Sequence, residues 1–382
     1  MAKKKGGKQK LRTTFRKNRS GRTRDHSLTR KYHEGDDQIE NLKKGERVSG
    51  KGKLTRKRTV IGIEAEEGSE GTSIYREIES TTCQEGLVVH VHGLNCKVES
   101  ADGTIYECVI RRILKTLATE QRSAVVTGDR VLFEPEAGNK GVIERVEPRR
   151  TVLTRESKRR QHILAANVDQ VFIVSSAAYP SLKPHLIDRM LVVAEQANLT
   201  PIICINKTDL VDLVDLVPLV GEYTTLGYQV LLTSVKTGQG IALLRQLVRD
   251  KRNVVTGQSG VGKSSLLNAI EPSLHLRVGY VSQENEKGRH TTTSSQLIRL
   301  QEGGHIVDTP GIRQFQLWDI ISREVANYFC EFRPHLANCK FADCTHIHEE
   351  GCAVLEKIKI GQISPRRYRS YLQLFREGEG AS

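Results

Sequence analysis

The sequence lacks any apolar run long enough to cross a membrane, and no apolar segment follows its lysine-rich start. A membrane-spanning helix needs about 20 mostly apolar residues, and a secretory signal needs an apolar stretch behind its basic residues, so we expect neither. Aromatic residues make up only 5% of the chain, and eight cysteines among 382 residues are too few for a disulfide scaffold. These absences indicate a reducing compartment, and we expect a cytoplasmic protein.

Acidic residues are scarce at the start of the chain. Residues 1–59 contain 21 lysines and arginines against 6 acidic residues, while the rest of the chain is close to neutral, with 38 basic and 39 acidic residues. Few apolar residues accompany those charges, so residues 1–80 cannot offset the entropy of ordering, and we predict a disordered basic arm there. The composition favours a salt-sensitive contact with nucleic acid, although a merely solubilising extension fits it too.

The most informative stretch is a glycine-rich turn between two apolar segments. Residues 257–264 fit G-x-x-x-x-G-K-[ST], with Val254-Val255 before them and Leu266-Leu267 after them. This is the strand, turn and helix context of a phosphate-binding loop, in which backbone N–H groups and the helix N-terminus surround a phosphate. We expect Lys263 to reach the β- and γ-phosphates and Ser264 to bind Mg²⁺. The predicted phosphate-loop residues are Gly257, Gln258, Ser259, Gly260, Val261, Gly262, Lys263, Ser264 and Ser265.

Two further tetrapeptides, each at the end of a predicted strand, specify the nucleotide. Residues 206–209 fit N-K-x-D, whose carboxylate accepts hydrogen bonds from guanine N1–H and the exocyclic amine. Adenine lacks that donor pair and would leave Asp209 unpaired, at a cost of roughly a few kcal/mol. Residues 308–311 fit D-x-x-G, so we expect Asp308 to hold Mg²⁺ through water and the Gly311 N–H to sense the γ-phosphate. The predicted base-side residues are Asn206, Lys207, Thr208, Asp209 and Ser234.

The order of these motifs differs from that of an ordinary small GTPase, in which the phosphate loop comes first. Here residues 206–209 and the loop at Ser234 precede Gly257. One site can still form if the domain is circularly permuted, which compact domains tolerate when their ends lie close together. Strand and helix patterns alternate over residues 151–320, so we predict a permuted α/β P-loop GTPase domain there, with a parallel sheet and the site at its carboxyl edge.

A polar, glycine-containing segment follows the phosphate loop, and we predict a mobile switch in which Thr291 or Thr292 completes Mg²⁺ coordination. In many small GTPases a glutamine after D-x-x-G orients the attacking water, but here that residue is Ile312. We therefore expect slow intrinsic hydrolysis. His290 is the candidate to position water and Arg289 the candidate to offset transition-state charge, while a solvated loop histidine remains an alternative.

A cysteine-rich segment with the spacing C-x4-C-x-H-x5-C lies near the end of the chain. Three thiolates and one imidazole suit tetrahedral Zn²⁺, and a segment with so little apolar content needs a metal to fold. The basic helix predicted from Pro365 could contact phosphates and bases or could cap the domain. We predict an α-helical zinc-binding domain at residues 321–382, with His348 as a spare ligand. The candidate zinc ligands are Cys339, Cys344, His346 and Cys352.

The stretch before the GTPase domain alternates apolar and polar residues between turn signals, which predicts about five short strands. Asp102-Gly103 gives a tight hairpin turn, whereas residues 125–133 read as one strand. Five strands at residues 81–150 fit an all-β OB-like barrel, a common oligonucleotide-binding platform, although a small SH3-like barrel would look similar. Basic residues after the third strand either contact RNA phosphates or face solvent, namely Arg111, Arg112, Lys115 and Arg122.

The permuted motif order, the run from Gly288 to Thr293 and the cysteine cluster resemble the circularly permuted GTPases that depend on the small ribosomal subunit (RsgA/YjeQ). The resemblance covers residues 85–375 and favours an OB barrel and His346 as the zinc ligand. It implies hydrolysis of GTP to GDP and phosphate that is slow alone and stimulated by the small (30S) subunit. It also implies contact with rRNA and a role in late maturation of that subunit.

The residues alone support GTP-gated RNA binding. Two alternative functions stay open. A switch that acts on another ribonucleoprotein would keep every motif but would not respond to small subunits. A small-molecule kinase with a phosphate loop is disfavoured by the N-K-x-D motif. No pair of self-complementary apolar surfaces is visible in the sequence, so we expect a monomer.

Overall fold

The computed structural model describes residues 9–14, 57–64, 74–75, 82–93, 95–111, 124–156, 161–276, 295–308 and 322–379. These residues belong to two units, of which the smaller contains three antiparallel strands in the order β1-β2-β3. The strands are β1 (Gln9–Thr14), β2 (Lys57–Glu64) and β3 (Ile74–Tyr75). Threonine, valine and isoleucine in β2 favour extended backbone even among charges. The remainder of the predicted arm lies outside the described residues.

Five strands of the larger unit close into a barrel in the order β4-β5-β6-β8-β7, with β7 pairing back to β4. They are β4 (Gln84–His92), β5 (Asn95–Ser100), β6 (Ile105–Ile110), β7 (Arg130–Glu136) and β8 (Lys140–Val146). Only β6 and β8 pair in parallel, so the third and fifth strands meet as in an OB barrel. Residues 125–129 form a turn instead of extending β7, because Gly128 adopts a φ of 91°.

The second sheet of the larger unit has the order β13-β12-β11-β14-β16-β15, and a single pairing between Gln296 and His90 joins it to the barrel. Its neighbours are parallel except β15, which runs antiparallel to β16. A separate hairpin, β9 (Val152–Glu156) and β10 (Gln161–Ala166), precedes it. The strands of the sheet are β11 (Gln170–Ser176), β12 (Thr200–Asn206), β13 (Gln229–Leu232), β14 (Arg252–Thr256), β15 (Gln296–Arg299) and β16 (His305–Asp308).

Helices cover both faces of this sheet. Ile173 and Ile203 share a core with α1 and α2, whereas Phe172 and Ile202 share another core with α3 and α4. Successive residues of a strand point to opposite faces, so the sheet is buried on both sides as predicted for a parallel α/β domain. The helices are α1 (Pro184–Gln196), α2 (Val217–Thr225), α3 (Ile241–Val248) and α4 (Lys263–Ile270).

The C-terminal segment packs on the face of the sheet that carries α1. It contains a 3-10 helix (Ser322–Tyr328) and the helices α5 (Arg333–Leu336), α6 (Ala353–Lys359) and α7 (Pro365–Glu379). Phe329, Phe332 and Tyr371 are almost fully buried and pack in tilted and edge-to-face contacts, so α7 contributes to the core of this module. Every helix among the described residues is too short or too polar to span a bilayer.

Candidate nucleotide-binding site and metal centre

The turn between β14 and α4 has the backbone of a phosphate-binding loop. Gly257, Gly260 and Gly262 adopt φ values of 143°, 81° and 97°, which residues other than glycine rarely adopt. A Cβ on Gly257 would lie 2.0 Å from the Val174 carbonyl oxygen, and one on Gly262 would lie 2.4 Å from Asn206 Nδ2. The glycines are therefore required both by the turn and by the close approach of two neighbouring strand ends.

Lys263, the first residue of α4, folds back over this loop. Its Nζ donates to the carbonyl oxygens of Gly257 and Gln258, at 2.7 and 2.8 Å. The N-terminus of α4 adds positive potential at the same place. An ammonium held there is positioned to bind phosphate oxygens. Ser264 and Ser265 follow it in the first turn of α4.

The first two residues of the N-K-x-D motif fasten the phosphate loop. Asn206 ends β12 and is buried, and its Nδ2 donates to the Val261 carbonyl oxygen at 2.9 Å. Lys207 adopts a φ of 62°, and its Nζ donates to the carbonyl oxygens of Gly260, at 2.8 Å, and Tyr179. Both residues were predicted on the base side, and in the structure both hydrogen-bond to the phosphate loop.

The next two residues of the motif face the loop after β13. Thr208 is buried, and its hydroxyl donates to the Thr233 carbonyl oxygen at 3.0 Å. Asp209 is exposed, and its Oδ1 accepts a hydrogen bond of 2.6 Å from the hydroxyl of Ser234, which is fully buried. A buried donor therefore fixes the carboxylate that was predicted to read guanine.

The other predicted nucleotide-site residues lie on strand ends or outside the described residues. Asp308 is the last residue of β16, which runs parallel to β14, so its backbone lies at the same edge as the phosphate loop. Sequence reasoning missed Tyr179, which contributes a main-chain carbonyl oxygen, because any residue type could supply that atom. The predicted residues outside the described part are Arg289, His290, Thr291, Thr292 and Gly311.

The four predicted zinc ligands come together in the C-terminal module. The ligand atoms of Cys339, Cys344, His346 and Cys352 all lie within 4.8 Å of one another. Nδ1 of His346 lies 3.6 Å from the Cys339 sulfur and 3.4 Å from the Cys352 sulfur, so Nδ1 is the ring atom that faces the cluster. His348 is exposed and does not belong to this group.

The loop that carries His346 is held from both sides. The His346 carbonyl oxygen accepts a hydrogen bond from the Tyr368 hydroxyl at 2.9 Å, and the Thr345 carbonyl oxygen accepts one from the Tyr371 hydroxyl at 2.6 Å. Both tyrosines belong to α7, so this helix supports the loop. Glu349 accepts from the N–H groups of Thr345, at 2.6 Å, and Ile347, at 2.9 Å. Burial opposes ionisation, but these hydrogen bonds prevail and hold the pKa of Glu349 well below its usual range.

The donor set fits a divalent cation with a preference for sulfur and nitrogen. Desolvation raises the pKa of Cys344 to about 12 and also raises the pKa of Cys352, and neighbouring thiols add repulsion. Burial lowers the pKa of His346, which keeps its imidazole neutral and able to bind a metal. A bound cation would offset this cost and favour the thiolates, and tetrahedral sulfur and nitrogen ligation is typical of Zn²⁺.

Replacing Cys352 by serine is expected to lower metal affinity by more than about 100-fold, because it removes one of four ligands from a buried site. The measurement is metal content per chain by mass spectrometry, together with thermal unfolding with and without a chelator. Cys83→Ser, outside the cluster, is the control and should keep one metal per chain. Retention of a full metal equivalent by Cys352→Ser would contradict the assignment.

A phosphate loop after β14 and an N-K-x-D motif after β12 meet at the carboxyl edge of a doubly covered parallel sheet. That combination defines a GTPase domain, and the motif order makes it a circularly permuted one. The model of the RsgA GTPase family matches residues 146–318. A Sodalis glossinidius protein named small ribosomal subunit biogenesis GTPase RsgA is 41% identical over 302 residues, covering 76% of this chain and 85% of that relative.

Other relatives agree with this match. A protein of the same name from Haemophilus influenzae is 40% identical over 299 residues, covering 76% of this chain and 84% of its own. The crystal structure of YjeQ from Thermotoga maritima has a TM-score of 0.66 at 36% identity and covers 78% of this chain and 99% of that one. YloQ, described as a circularly permuted GTPase, has a TM-score of 0.63 at 29% identity, with 81% and 99% covered. The chain belongs to the RsgA GTPase family, which confirms the predicted family and fold class.

Proposed function

We propose that this protein is a GTPase that binds the small ribosomal subunit and assists its late maturation. The observation that carries the proposal is the joined nucleotide site, in which Asn206 and Lys207 bind the phosphate loop while Ser234 fixes Asp209. That site suits GTP and not ATP. The subunit as partner is supported by relatives named small ribosomal subunit biogenesis GTPases at 40–41% identity over 76% of this chain.

The reaction adds water to the γ-phosphorus of GTP and releases GDP and phosphate, with Mg²⁺ offsetting the charge. In our proposal Lys263 binds the β- and γ-phosphates, and Ser264 binds Mg²⁺ directly. Asp308 would help to hold Mg²⁺ at the same site. The further roles are proposed from the sequence: Thr291 or Thr292 for Mg²⁺, Gly311 for the γ-phosphate, His290 for the attacking water and Arg289 for transition-state charge.

The domain order connects this site to two modules that we propose contact RNA, the barrel at 81–150 and the zinc domain at 321–382. The GTPase domain at 151–320 lies between them. The Thr127 hydroxyl of the barrel donates to the Ser295 carbonyl oxygen at 2.8 Å, directly after the predicted switch in sequence. The D-x-x-G segment leads into the zinc domain. One nucleotide-sensing segment therefore ends in contact with the barrel, and the other leads into the zinc domain, which suits docking in one nucleotide state and release in the other. We propose Zn²⁺ as the metal and the cytoplasm as the location.

GTP hydrolysis with purified small ribosomal subunits is expected to exceed hydrolysis by the protein alone by at least about tenfold, because the subunit orders a site without a D-x-x-G glutamine. The gain should shrink when salt rises from about 50 to 200 mM, since basic contacts to phosphates are salt-sensitive. Large subunits are the control, and His290→Ala measured alongside should lose stimulation but keep GTP affinity. Slow turnover without stimulation would indicate a switch that acts on another ribonucleoprotein.

A further inference from the structure

The segment directly after Asp209 exposes an unusual cluster of apolar side chains. Eleven large apolar residues are exposed among those that the structure describes, and four of them lie between residues 210 and 217. Single exposed apolar residues are normal, but a contiguous group marks an interaction site. We name the group the 210–217 patch; its apolar members and their exposed fractions are Leu210 (46%), Leu213 (41%), Val214 (70%) and Val217 (62%).

The patch is an ordered surface and not a frayed loop. Residues 213–216 form a 3-10 helix that continues into α2, and Asp212 caps it by accepting from the Val214 N–H at 3.0 Å. Leu216 is buried and anchors this turn to the core, so the fold is satisfied without the exposed members. Val214 and Val217 are three residues apart in this helical stretch and therefore face the same side.

The charge of the patch opposes that of the whole protein. Asp212 and Asp215 are exposed between the apolar side chains. From Thr208 to Val235 the chain has four acidic residues and no lysine or arginine, although its net charge is +14. Because the patch is acidic and apolar, we expect it to bind a different kind of partner from the basic surfaces of this protein.

The chemistry of the patch excludes several partners. Carboxylates repel nucleic-acid phosphates, and aliphatic side chains offer no aromatic ring on which a base can stack. Carboxylates also repel an anionic membrane surface. In a two-fold dimer through this patch, the same acidic residues would meet each other. The remaining complement is a polypeptide that carries both basic and apolar side chains.

We propose that the 210–217 patch, with Asp212 and Asp215, is a docking surface for a basic amphipathic segment of a protein of the small ribosomal subunit. The subunit as the source of that segment rests on the proposed function. The apolar side chains supply the buried area, and the two carboxylates select lysine and arginine over acidic segments.

The test compares the binding of full-length variants to purified small subunits in the presence of a non-hydrolysable GTP analogue. Removing the two most exposed side chains in Val214→Ser/Val217→Ser should raise Kd about tenfold, because it removes apolar area from the contact. Asp215→Arg should raise Kd in the same direction through repulsion of the basic segment. Leu243→Ser removes another exposed apolar side chain, 44% exposed, from α3 and should leave Kd unchanged. Thermal unfolding and GTP affinity should match the wild type in all variants.

Wild-type affinity in the Val214→Ser/Val217→Ser variant would overturn the docking surface and leave the proposed function standing. Failure of the wild-type protein to bind small subunits would overturn both. A photoreactive amino acid in place of Val214, in the full chain on the subunit, identifies the occupant. Crosslinks to a lysine- and arginine-containing segment of a ribosomal protein support the proposal. Crosslinks to rRNA, to residues 1–80 of the same chain or to a second copy overturn it.

Discussion

Replacing Asp209 by asparagine is expected to lower GTP affinity by at least about 100-fold and to create affinity for xanthosine triphosphate. We propose that the carboxylate of Asp209 accepts hydrogen bonds from the two donors of guanine, its N1–H and its exocyclic amine. An asparagine in the same place turns one acceptor into an N–H donor, which opposes the amine of guanine. Xanthine carries a carbonyl oxygen where guanine carries the amine, so the asparagine N–H finds an acceptor there.

The hydrogen bond from Ser234 determines how the side chain at position 209 is oriented. The Ser234 hydroxyl donates to Oδ1 of Asp209 at 2.6 Å, and Ser234 is fully buried, so this donor has little freedom to turn away. In Asp209→Asn the amide oxygen takes the place of Oδ1, since the amide nitrogen cannot accept. The N–H₂ group then occupies the position of the other carboxylate oxygen. The hydrogen bond from Ser234 thus fixes which way the new amide points.

The measurement is the equilibrium affinity of each variant for GTP and for xanthosine triphosphate, by calorimetry or with fluorescent analogues. Ser234→Ala is the matched control. It removes the hydrogen bond that orients the carboxylate and leaves the carboxylate itself, so it should weaken GTP binding by about tenfold and gain no xanthine affinity. Equal losses for both nucleotides in Asp209→Asn would show that Asp209 does not read the base in this protein.

Some parts of the site could be predicted from sequence because chemistry restricts the residue types. Gly257 and Gly262 have no substitute beside a neighbouring strand end, and the spacing of the four Cys and His ligands is set by the metal they would bind. A main-chain carbonyl oxygen that accepts a hydrogen bond, such as that of Tyr179, places no such restriction on the residue type. Strand β15 and the β9-β10 hairpin were also not predicted, because short strands with little alternation resemble loops.

The role of the arginines in α7 could not be predicted from the sequence. A run of arginines and tyrosines from Pro365 fits both an RNA-binding surface and a domain cap. The structure shows that Arg366 and Arg367 form ion pairs inside the protein, with a partner 178 and 179 residues away. No local pattern identifies Asp188 as that partner, since its neighbours in sequence are those of an ordinary amphipathic helix.

Replacing Asp188 by alanine is expected to lower the free energy of unfolding by about 3–5 kcal/mol, as is typical when one partner of a buried ion pair is removed. Asp188 lies in α1 and is fully buried. It accepts from Arg367 Nη1 at 2.7 Å, Arg366 Nη1 at 2.8 Å, the Tyr223 hydroxyl at 2.7 Å and the Ser370 hydroxyl at 2.6 Å. One carboxylate thus joins α1, α2 and α7, and its loss leaves several buried donors without an acceptor.

The loss cannot be compensated by the two other carboxylates in this network, because both already have arginine partners, Glu222 accepting from Arg366 Nε at 2.5 Å. Glu331 already accepts from Arg367 Nε and Nη2, at 2.6 and 3.0 Å, and the Arg367 guanidinium lies 4.5 Å from the centre of the Phe329 ring. Burial opposes the charged form, but hydrogen bonds to Glu331 and the charge of Asp188 prevail and raise the pKa of Arg367. The arginine therefore stays charged, and without Asp188 part of that charge is buried uncompensated.

Denaturant unfolding of full-length Asp188→Ala and Ser370→Ala separates the ion pair from the hydrogen bonds around it. Ser370→Ala removes one neutral donor and should cost only about 1 kcal/mol. Hydrogen exchange should show faster opening of α7 in Asp188→Ala, because the carboxylate holds that helix to α1. GTP affinity should be unchanged, since the nucleotide-site hydrogen bonds involve β12, β14 and the loop after β13. Unchanged exchange in α7, or equal costs for the two variants, would mean that packing alone holds the C-terminal module to the GTPase sheet.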